Sequence, residues 1–351
     1  MRFINEIFTA AVGESWSNAE VLPHYVAAVE KLSVGAEEKA RLVDAVGYFL
    51  MGERRRQAAP GWLELDGFEG RARAFEMGAD RELDLLAAQV GAAARAGDVV
   101  FDAVVTTTST GNLMPGLSYR MAARLGDRVR TDSSMIDLGN VGCTGGAKAL
   151  CLVQRLAEDA ANVLVVSVEQ PSSLVHLGAA DVDVWQGNCT FGDGAAAMWV
   201  STNADHGKMA LEVTSVRDVQ RAADGLGLIR WGYDQYYTFR LADETTFNQD
   251  VRKLVGEVLG DVEADWLQTP RWAIHPAGIS LLMRLSRKLG LPREAVQASA
   301  THYERWSNMS SASLLHILKD VASETRVGDG INLLTMGAGF NVIYGRLRKE
   351  R

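Results

Sequence analysis

The hydrophobic positions of the chain follow two patterns, one typical of helices and one typical of buried strands. Apolar residues recur every three or four positions in 36–52 and 80–96, which predicts two amphipathic helices. Apolar runs without polar alternation, as in strands that are covered on both faces, occur at 101–110, 134–139 and 162–169. The first part of the chain therefore predicts a layered α/β structure.

The two halves of the chain carry similar series of elements. The remaining predicted helices lie at 114–126, from Cys143 to about Ala160, and at 250–262, 279–291 and 310–324. The remaining predicted strands lie at 192–202, at 271–278 and, as two strands around a glycine turn, at 330–347. The polar segment 200–208 separates the two series. We therefore expect a duplicated α/β fold with an N-terminal half, 1–203, and a C-terminal half, 204–351.

Composition and charge exclude several classes of protein. Of the 351 residues 47% are hydrophobic, and the formal net charge is -8. A large core is expected, whereas a general nucleic-acid surface is not, because phosphate binding needs basic charge. No apolar run reaches the roughly 18 residues of a membrane span. The N-terminus "MRFINEIFTAAVGESW" has no basic region followed by an apolar stretch, so we expect no signal peptide.

Three cysteines, Cys143, Cys151 and Cys189, are too few for a disulfide framework and lack metal-type spacing. We expect a reducing, cytoplasmic compartment and no metal site. Cys143 lies within the glycine-rich segment 142–146, where a helix is predicted to begin. Glycines allow close approach of a substrate, and a helix N-terminus lowers the pKa of a thiol. Cys143 is thus either a nucleophile or a packing residue. Cys151, which lies among apolar neighbours, is interpreted as a packing residue.

Two polar residues of the C-terminal half are candidates for the same site. His275 ends the apolar strand in "WAIHPAG", and Pro276 then blocks continuation of the strand. Asn308 lies in "RWSNMSSAS", at the entry to the 310–324 helix. A histidine and an amide can together hold a developing oxyanion. The alternatives are a satisfied core histidine and a helix-capping asparagine.

Several ordered motifs resemble one family. "GCTGGAKAL" (142–150), "FGDGAAA" (191–197), "WAIHPAG" and "SNMSSAS" resemble the thiolase superfamily, and specifically the chalcone-synthase-like type III polyketide synthases, with ketoacyl synthase III close behind. "TTTSTGNLMPG" (106–116) and "GERRR" (52–56) also resemble segments of that family. The resemblance extends from about residue 45 to the C-terminus. It implies a five-layered αβαβα fold of two similar halves and a homodimer.

The resemblance also assigns chemical roles. It implies that Cys143 takes an acyl group from an acyl-CoA, and that His275 and Asn308 hold the thioester oxygen of malonyl-CoA while CO2 is lost. The enolate then attacks the acyl-cysteine. Glu169 resembles a buried structural carboxylate of the family. No permanent cofactor is implied, since coenzyme A thioesters serve as substrates.

Substrate-contacting positions follow from the same resemblance. The residues expected at the acyl group are Phe191, Phe239, Ser310, Thr144, Gly337 and Gly339. The basic residues expected near the coenzyme A entrance are Arg54, Arg55 and Arg56. A solvated charge run is the other interpretation of these arginines.

Three departures from the family pattern leave the product open. "TMGAGFN" (335–341) keeps only two glycines of the usual loop, Thr144 replaces a bulky residue, and 231–239 is unusually aromatic. These departures favour one condensation, or acyl transfer without condensation, over repeated extension followed by ring closure. The alternative function is acyl transfer to a non-malonyl acceptor or an acyl carrier protein without chain extension.

Overall fold

The computed structural model describes residues 1–156, 160–242, 244–260, 267 and 269–351. Its α-helices are α1 Asn18–Glu30, α2 Ala36–Phe49, α3 Gly67–Ala96, α4 Leu117–Leu125, α5 Gly145–Val153, α6 Val182–Thr190, α7 Ala222–Gly225, α8 Glu244–Leu259, α9 Ile279–Leu289, α10 Gln297–Trp306 and α11 Ser313–Glu324. Its strands are β1 Phe3–Ala10, β2 Glu14–Ser17, β3 Arg55–Ala58, β4 Phe101–Thr108, β5 Val129–Gly139, β6 Asn162–Glu169, β7 Gly194–Ser201, β8 Leu211–Gln220, β9 Ile229–Tyr233, β10 Tyr237–Leu241, β11 Trp272–Ile274, β12 Gly330–Gly337 and β13 Asn341–Lys349. Within these ranges no helix is long and apolar enough to cross a bilayer.

A nine-stranded sheet connects the two halves in the order β11-β12-β13-β8-β1-β7-β6-β4-β5. β4 runs parallel to both β5 and β6, whereas β7 is antiparallel to β6 and β1. In the C-terminal half, β13 is antiparallel to β8 and β12, and β11 runs parallel to β12. The halves meet at β1 and β8, which pair at only two positions.

Five layers follow from the packing of the apolar side chains. The central helices α5 and α11 lie in one core cluster with strands of both halves. Both are buried around most of their circumference, as expected for helices covered on several sides. α3 and α4 cover the outer face of the N-terminal strands, and α8 and α9 cover that of the C-terminal strands. The αβαβα arrangement predicted from the sequence is thus confirmed.

The predicted element bounds agree best where the apolar runs were unbroken. β6 matches 162–169, whereas the helix after Cys143 ends at Val153 rather than near residue 160. Residues 157–159, within that prediction, and 261–262, at the end of the predicted 250–262 helix, lie outside the described residues. The 310–324 helix begins with a 3-10 turn, Ser310–Ala312. Our proposed boundary between 203 and 204 falls in the loop from β7 to β8.

Candidate active site

Cys143 lies in a 3-10 turn, Gly142–Thr144, directly before α5. The backbone N–H of Gly142 donates to Ser109 Oγ over 2.7 Å. The carbonyl oxygen of Cys143 accepts from Thr335 Oγ over 3.3 Å. The turn that presents the thiol is therefore fixed by one residue of each half.

Close approach of the halves depends on glycine at two positions. A Cβ on Gly145 would lie 2.3 Å from Thr107 Oγ1 and 2.9 Å from Ser311 Cβ. A Cβ on Gly337 would lie 3.3 Å from the backbone nitrogen of Cys143. Larger residues would push β12 and the start of α11 away from the thiol.

His275 directly follows β11 and is buried, with 1% relative exposure. Its backbone N–H donates to the carbonyl oxygen of Leu334 over 2.8 Å. Because β11 and β12 are parallel neighbours, this bond places His275 beside Thr335, the residue that contacts the Cys143 backbone. Neither ring nitrogen of His275 has a hydrogen-bond partner among the described residues.

Asn308 is held by its backbone and its side chain. Its N–H donates to Thr190, and its carbonyl oxygen accepts from Gly192. Its side-chain oxygen accepts from the backbone N–H of Ser310 over 2.8 Å, which leaves the amide NH2 free to donate elsewhere. The side chains of Asn308 and Ser310 both lie within hydrogen-bonding reach of the Cys143 thiol.

Burial controls the charge state of the site. It raises the pKa of Cys143 to about 12, against weaker lowering effects of the hydrogen bonds from Ser310 and Asn308. Burial also lowers the pKa of His275 to about 3. The expectation that the helix terminus lowers the thiol pKa is corrected, because desolvation outweighs the dipole here.

Glu169 connects the loop after β4 to the start of α11. Its carboxylate accepts from the N–H of Ser109 over 3.0 Å, from Thr110 Oγ1 over 2.9 Å and from Ser311 Oγ. Burial raises its pKa. These contacts agree with the structural role expected for it.

A cavity of about 310 Å³ opens onto the thiol. Phe191, Phe239, Ser310 and Gly339 line it together with Cys143. The rings of Phe191 and Phe239 meet edge to face with centroids 4.8 Å apart. The structure thus brings these four expected positions together, and their roles remain proposals.

Two of the expected substrate positions do not reach the cavity. Thr144 is fully buried, and its hydroxyl donates to the carbonyl oxygen of Val141 over 2.8 Å. Gly337 packs against the backbone of the nucleophile turn instead of lining the cavity. Both expectations are wrong, because these residues shape the turn that carries Cys143. Their positions in the sequence did not indicate which side chains face the cavity.

The expectation that three arginines lie near the coenzyme A entrance is wrong for Arg54 and Arg56. Arg54 is buried and donates to Phe49, Cys189 and Tyr303. Arg56 is equally buried and donates to backbone carbonyls of Asn188 and Cys189 and to Asn18 Oδ1. Their guanidinium groups bind the protein, because alternate residues of a strand share a face and this face is inward.

Arg55 points the other way and is exposed. Its guanidinium donates to Ser15 and lies 3.7 Å from Glu20. It alone of the three arginines is accessible to a ligand.

Sequence reasoning missed most of the outer wall of the cavity. Asn140, Leu174, Leu226, Ile229 and Trp231 also line it. The aromatic content of 231–239 was the available signal, and β9 and β10 form a hairpin there. No group of three or more potential metal ligands occurs among the residues that the structure describes.

Solved structures with the same fold are type III polyketide synthases. The C-terminal type III polyketide synthase domain of Steely1 from Dictyostelium has a TM-score of 0.84 and 18% identity over 100% of this chain and 99% of that chain. The 1,3,6,8-tetrahydroxynaphthalene synthase of Streptomyces coelicolor A3(2) has a TM-score of 0.82 and 18% identity over 99% of both chains. At this identity the likeness concerns the fold, which is that of thiolase-like condensing enzymes.

Family models specify the class further. The model of the N-terminal domain of chalcone and stilbene synthases matches residues 89–204, and that of the C-terminal domain matches 237–345. The chain belongs to the chalcone and stilbene synthase family, the type III polyketide synthases. It is a condensing acyltransferase that uses coenzyme A thioesters, and the family needs no permanent cofactor. These findings support condensation with malonyl-CoA and not the alternative of acyl transfer without extension.

Proposed function

We propose that Cys143 carries the acyl group, and that His275 and Asn308 activate malonyl-CoA for decarboxylative condensation. The observation that supports this most strongly is that Cys143 lines an apolar cavity while the side chains of Ser310 and Asn308 hydrogen-bond to its thiol. His275 follows the neighbouring strand and is buried there.

In the loading step His275 takes the thiol proton of Cys143 while the sulfur attacks the carbonyl carbon of acyl-CoA. The imidazole returns this proton to the coenzyme A sulfur as the bond to the acyl group breaks, and coenzyme A leaves as its thiol. A base is required because burial keeps the free thiol protonated at neutral pH.

In the extension step the thioester oxygen of malonyl-CoA accepts hydrogen bonds from the imidazole N–H of His275 and the amide of Asn308. The carboxylate leaves as CO2, and its bonding electrons form an enolate stabilised by these two donors. The enolate carbon attacks the acyl-cysteine carbonyl, a carbon–carbon bond forms and the sulfur of Cys143 is released. Exclusion of water strengthens both hydrogen bonds and prevents hydrolysis.

The cavity wall supports an apolar acyl group as substrate. Phe191 and Phe239 would separate the acyl chain from the coenzyme A entrance. Arg230 is exposed and is the one charged side chain among the described residues that line the cavity. With Arg55 it is our candidate for the coenzyme A phosphates in place of Arg54 and Arg56.

We also propose a cytoplasmic homodimer. β5 is an edge strand of 11 residues that pairs with β4 alone among the described strands, and such an edge is suited to pairing with a second copy. The three cysteines are unpaired, which a reducing compartment favours. An acyl carrier protein remains the alternative acyl donor.

Protein mass spectrometry after incubation with a panel of acyl-CoAs tests the loading step. We expect a single acyl adduct that is absent from Cys143→Ala and retained in Cys151→Ala, whose thiol is buried in the core. An adduct that persists in Cys143→Ala contradicts the assignment.

Malonyl-CoA decarboxylation without a starter tests the extension step. His275→Ala and Asn308→Ala should each lower kcat by about 100- to 1,000-fold, the loss typical of one oxyanion donor. Unimpaired CO2 release in either variant removes that residue from the mechanism.

A further inference from the structure

Two segments that depart from the family pattern meet beside the turn that carries Cys143. Thr144 is fully buried at the N-cap of α5, directly after Cys143. Asn341 ends the segment 335–341, begins β13 and is buried, with 1% relative exposure. Thr144 Oγ1 lies 3.2 Å from Asn341 Oδ1. The two departures are therefore in direct contact, and the partners of this contact show what it does.

The orientation of the Asn341 amide follows from its second partner. Asn341 Nδ2 lies 3.1 Å from Asp218 Oδ1. A carboxylate can only accept, so the NH2 group faces Asp218 and the amide oxygen faces Thr144. The Thr144 hydroxyl is then the donor, and its single proton is shared between this amide oxygen and the carbonyl oxygen of Val141, 2.8 Å away. The hydroxyl thus closes the turn and connects it to β13.

Asp218 makes a second connection to the same helix. Its Oδ2 accepts from Lys148 Nζ over 2.7 Å. Lys148 lies one helical turn after Thr144, so the two side chains share a face of α5. The side chains of Asp218 and Lys148 are only 12% and 24% exposed, and an ion pair shielded from water is stronger than one at an open surface. One carboxylate on β8 therefore holds the start of α5 at two points.

The strands behind the turn leave it little room to move. Asn341 pairs with Gln220 on β8 and with Gly337 on β12. Gln220 Nε2 donates to Asp218 Oδ1 over 2.9 Å. A Cβ on Gly337 would lie 3.2 Å from the backbone nitrogen of Thr144. The turn thus packs directly on the end of the β12–β13 hairpin, and a change in that hairpin is transmitted to Cys143.

We propose that Asn341 and Asp218 are positioning residues: they hold the Gly142–Thr144 turn against β13 and thereby set the position of the Cys143 thiol at the floor of the cavity. Both act through Thr144, since neither side chain is among those that line the cavity. The inference rests on the proposed function of Cys143 and adds residues that orient this group for attack.

The rate of loading tests this connection. Single-turnover formation of the acyl adduct on Cys143 is followed by protein mass spectrometry. Thr144→Val removes the hydroxyl at nearly constant shape. We expect Thr144→Val and Asn341→Leu each to lower the maximal rate about 10-fold at an unchanged half-saturating acyl-CoA concentration, because a small displacement of the nucleophile slows attack. Thr144→Ser keeps the hydroxyl and should stay within about threefold of wild type.

The double variant distinguishes one shared connection from two separate effects. Thr144→Val combined with Asn341→Leu should lose no more than about twice the larger single loss, because both changes break the same chain of hydrogen bonds. Losses that multiply in the double variant overturn the proposal. Should Asn341→Leu not fold, Asp218→Asn takes its place, since Asp218 lies nearer the surface; its expected loss is about 3- to 10-fold.

A matched control separates positioning from general stability. Glu212→Gln removes an ion pair with Arg348 that joins the same two strands, β8 and β13, far along them from the turn. It should leave the loading rate unchanged. Equal losses of loading rate in Glu212→Gln and Asp218→Asn overturn the proposal.

Alkylation of Cys143 by iodoacetamide tests the same connection without a catalytic role for the thiol. A looser turn admits water to the sulfur and offsets part of the burial that raises the pKa of Cys143. At neutral pH alkylation should therefore accelerate about 3- to 10-fold in Thr144→Val and Asn341→Leu, opposite in sign to loading. It should not change in Glu212→Gln. Alkylation at the wild-type rate in both variants overturns the proposal.

Failure of the proposed function would give a different result. If Cys143→Ala still forms the acyl adduct, Cys143 does not carry the acyl group, and alkylation alone decides whether the turn is held in this way. If Cys143→Ala forms no adduct while the Thr144, Asn341 and Asp218 variants load at the wild-type rate, only the inference is overturned.

Discussion

The floor of the cavity and its outer wall are built by different kinds of contact. The floor comprises 142–146, 308–313 and 335–337, and the two halves meet there through buried hydrogen bonds. Ser167 Oγ lies 2.6 Å from Ser311 Oγ, and Thr144 Oγ1 lies 3.2 Å from Asn341 Oδ1. The two halves are so close in the floor that a Cβ added at Gly145 or Gly337 would have almost no room.

Part of the outer wall is the hairpin of β9 and β10, residues 229–241, whose strands pair with each other alone among the described strands. Ion pairs near the surface attach it to the body. Arg240 lies 2.7 Å from Asp181 and 3.1 Å from Asp183. His176 Nε2 also lies 2.9 Å from the Asp234 carboxylate; because burial lowers the pKa of His176, this contact is a hydrogen bond at neutral pH.

The difference separates chemistry from substrate choice. Groups that react are positioned by the packed core, where small displacements are costly. Groups that face the acyl chain are carried by a hairpin whose side chains can change with little effect on the core. Changes in the floor should therefore impair folding or catalysis, and changes in the wall should alter the substrate.

The largest expected effect concerns the Cys143 thiol in the floor. Because burial raises the pKa of Cys143 to about 12, its thiolate fraction should increase tenfold per pH unit throughout the neutral range. Alkylation of Cys143 by iodoacetamide should therefore accelerate about 100-fold between about pH 7 and 9. Peptide mass spectrometry measures the rate, with glutathione as the reference thiol. A plateau below about pH 8 would show that a cation holds Cys143 as thiolate.

The next effect tests how tightly the halves meet. Gly145→Ala should lower the free energy of unfolding by about 1–3 kcal/mol, because its Cβ overlaps Thr107 and Ser311. Urea unfolding followed by circular dichroism measures this. Gly47→Ala is the matched control, since a Cβ there meets nothing within 4 Å on the exposed face of α2. It should be neutral or slightly stabilising, and equal losses in both variants would contradict the packed floor.

A smaller effect is expected at the wall. Trp231→Ala should raise kcat/KM for long acyl-CoAs relative to acetyl-CoA by about tenfold, because removing the indole enlarges the apolar cavity. Tyr233→Ala is the control on the same strand, with a side chain 78% exposed. Should the two variants show the same substrate preference, the hairpin has no part in selecting the acyl group.

The smallest effect tests how the wall is attached. Arg240→Gln removes the pairs with Asp181 and Asp183 and should cost about 0–1 kcal/mol, less at high salt. Thermal unfolding at two salt concentrations measures it. Arg41→Gln, which removes an exposed pair with Glu38 on α2, is the control. If the free energy of unfolding falls by several kcal/mol at both salt concentrations, the hairpin is attached by core packing instead.

The sequence predicted elements well where one physical signal dominated. Strand 162–169 contains the unbroken apolar run 163–166 and was bounded correctly. β1, at the centre of the sheet, was missed because Asn5 and Glu6 interrupt its apolar run. Asn5 is fully buried there and donates to Ser201 Oγ over 2.6 Å. This hydrogen bond satisfies the buried amide NH2 group of Asn5. Its partner lies almost 200 residues away in the sequence, so the local pattern of residues cannot predict it.

Helix α10 and the arginines show the same limit. α10 buries Ser299, Ala300, His302 and Tyr303, a face without an apolar period. The three arginines form one charge run in the sequence, yet the strand directs only Arg55 to solvent. In the site, the motifs predicted Cys143 and Asn308, whose catalytic roles stay predictions. They could not show that the Thr144 side chain is directed away from the cavity.

The proposed reactive groups are divided between the two halves, one in the N-terminal half and two in the C-terminal half, and this has a consequence during synthesis. When residues 1–203 have emerged from the ribosome, the nascent chain contains Cys143 but neither His275 nor Asn308. By our mechanism such a fragment has no base for loading and no donors for an enolate. Condensation can therefore begin only after translation has supplied both partners, so incomplete chains would not consume coenzyme A thioesters.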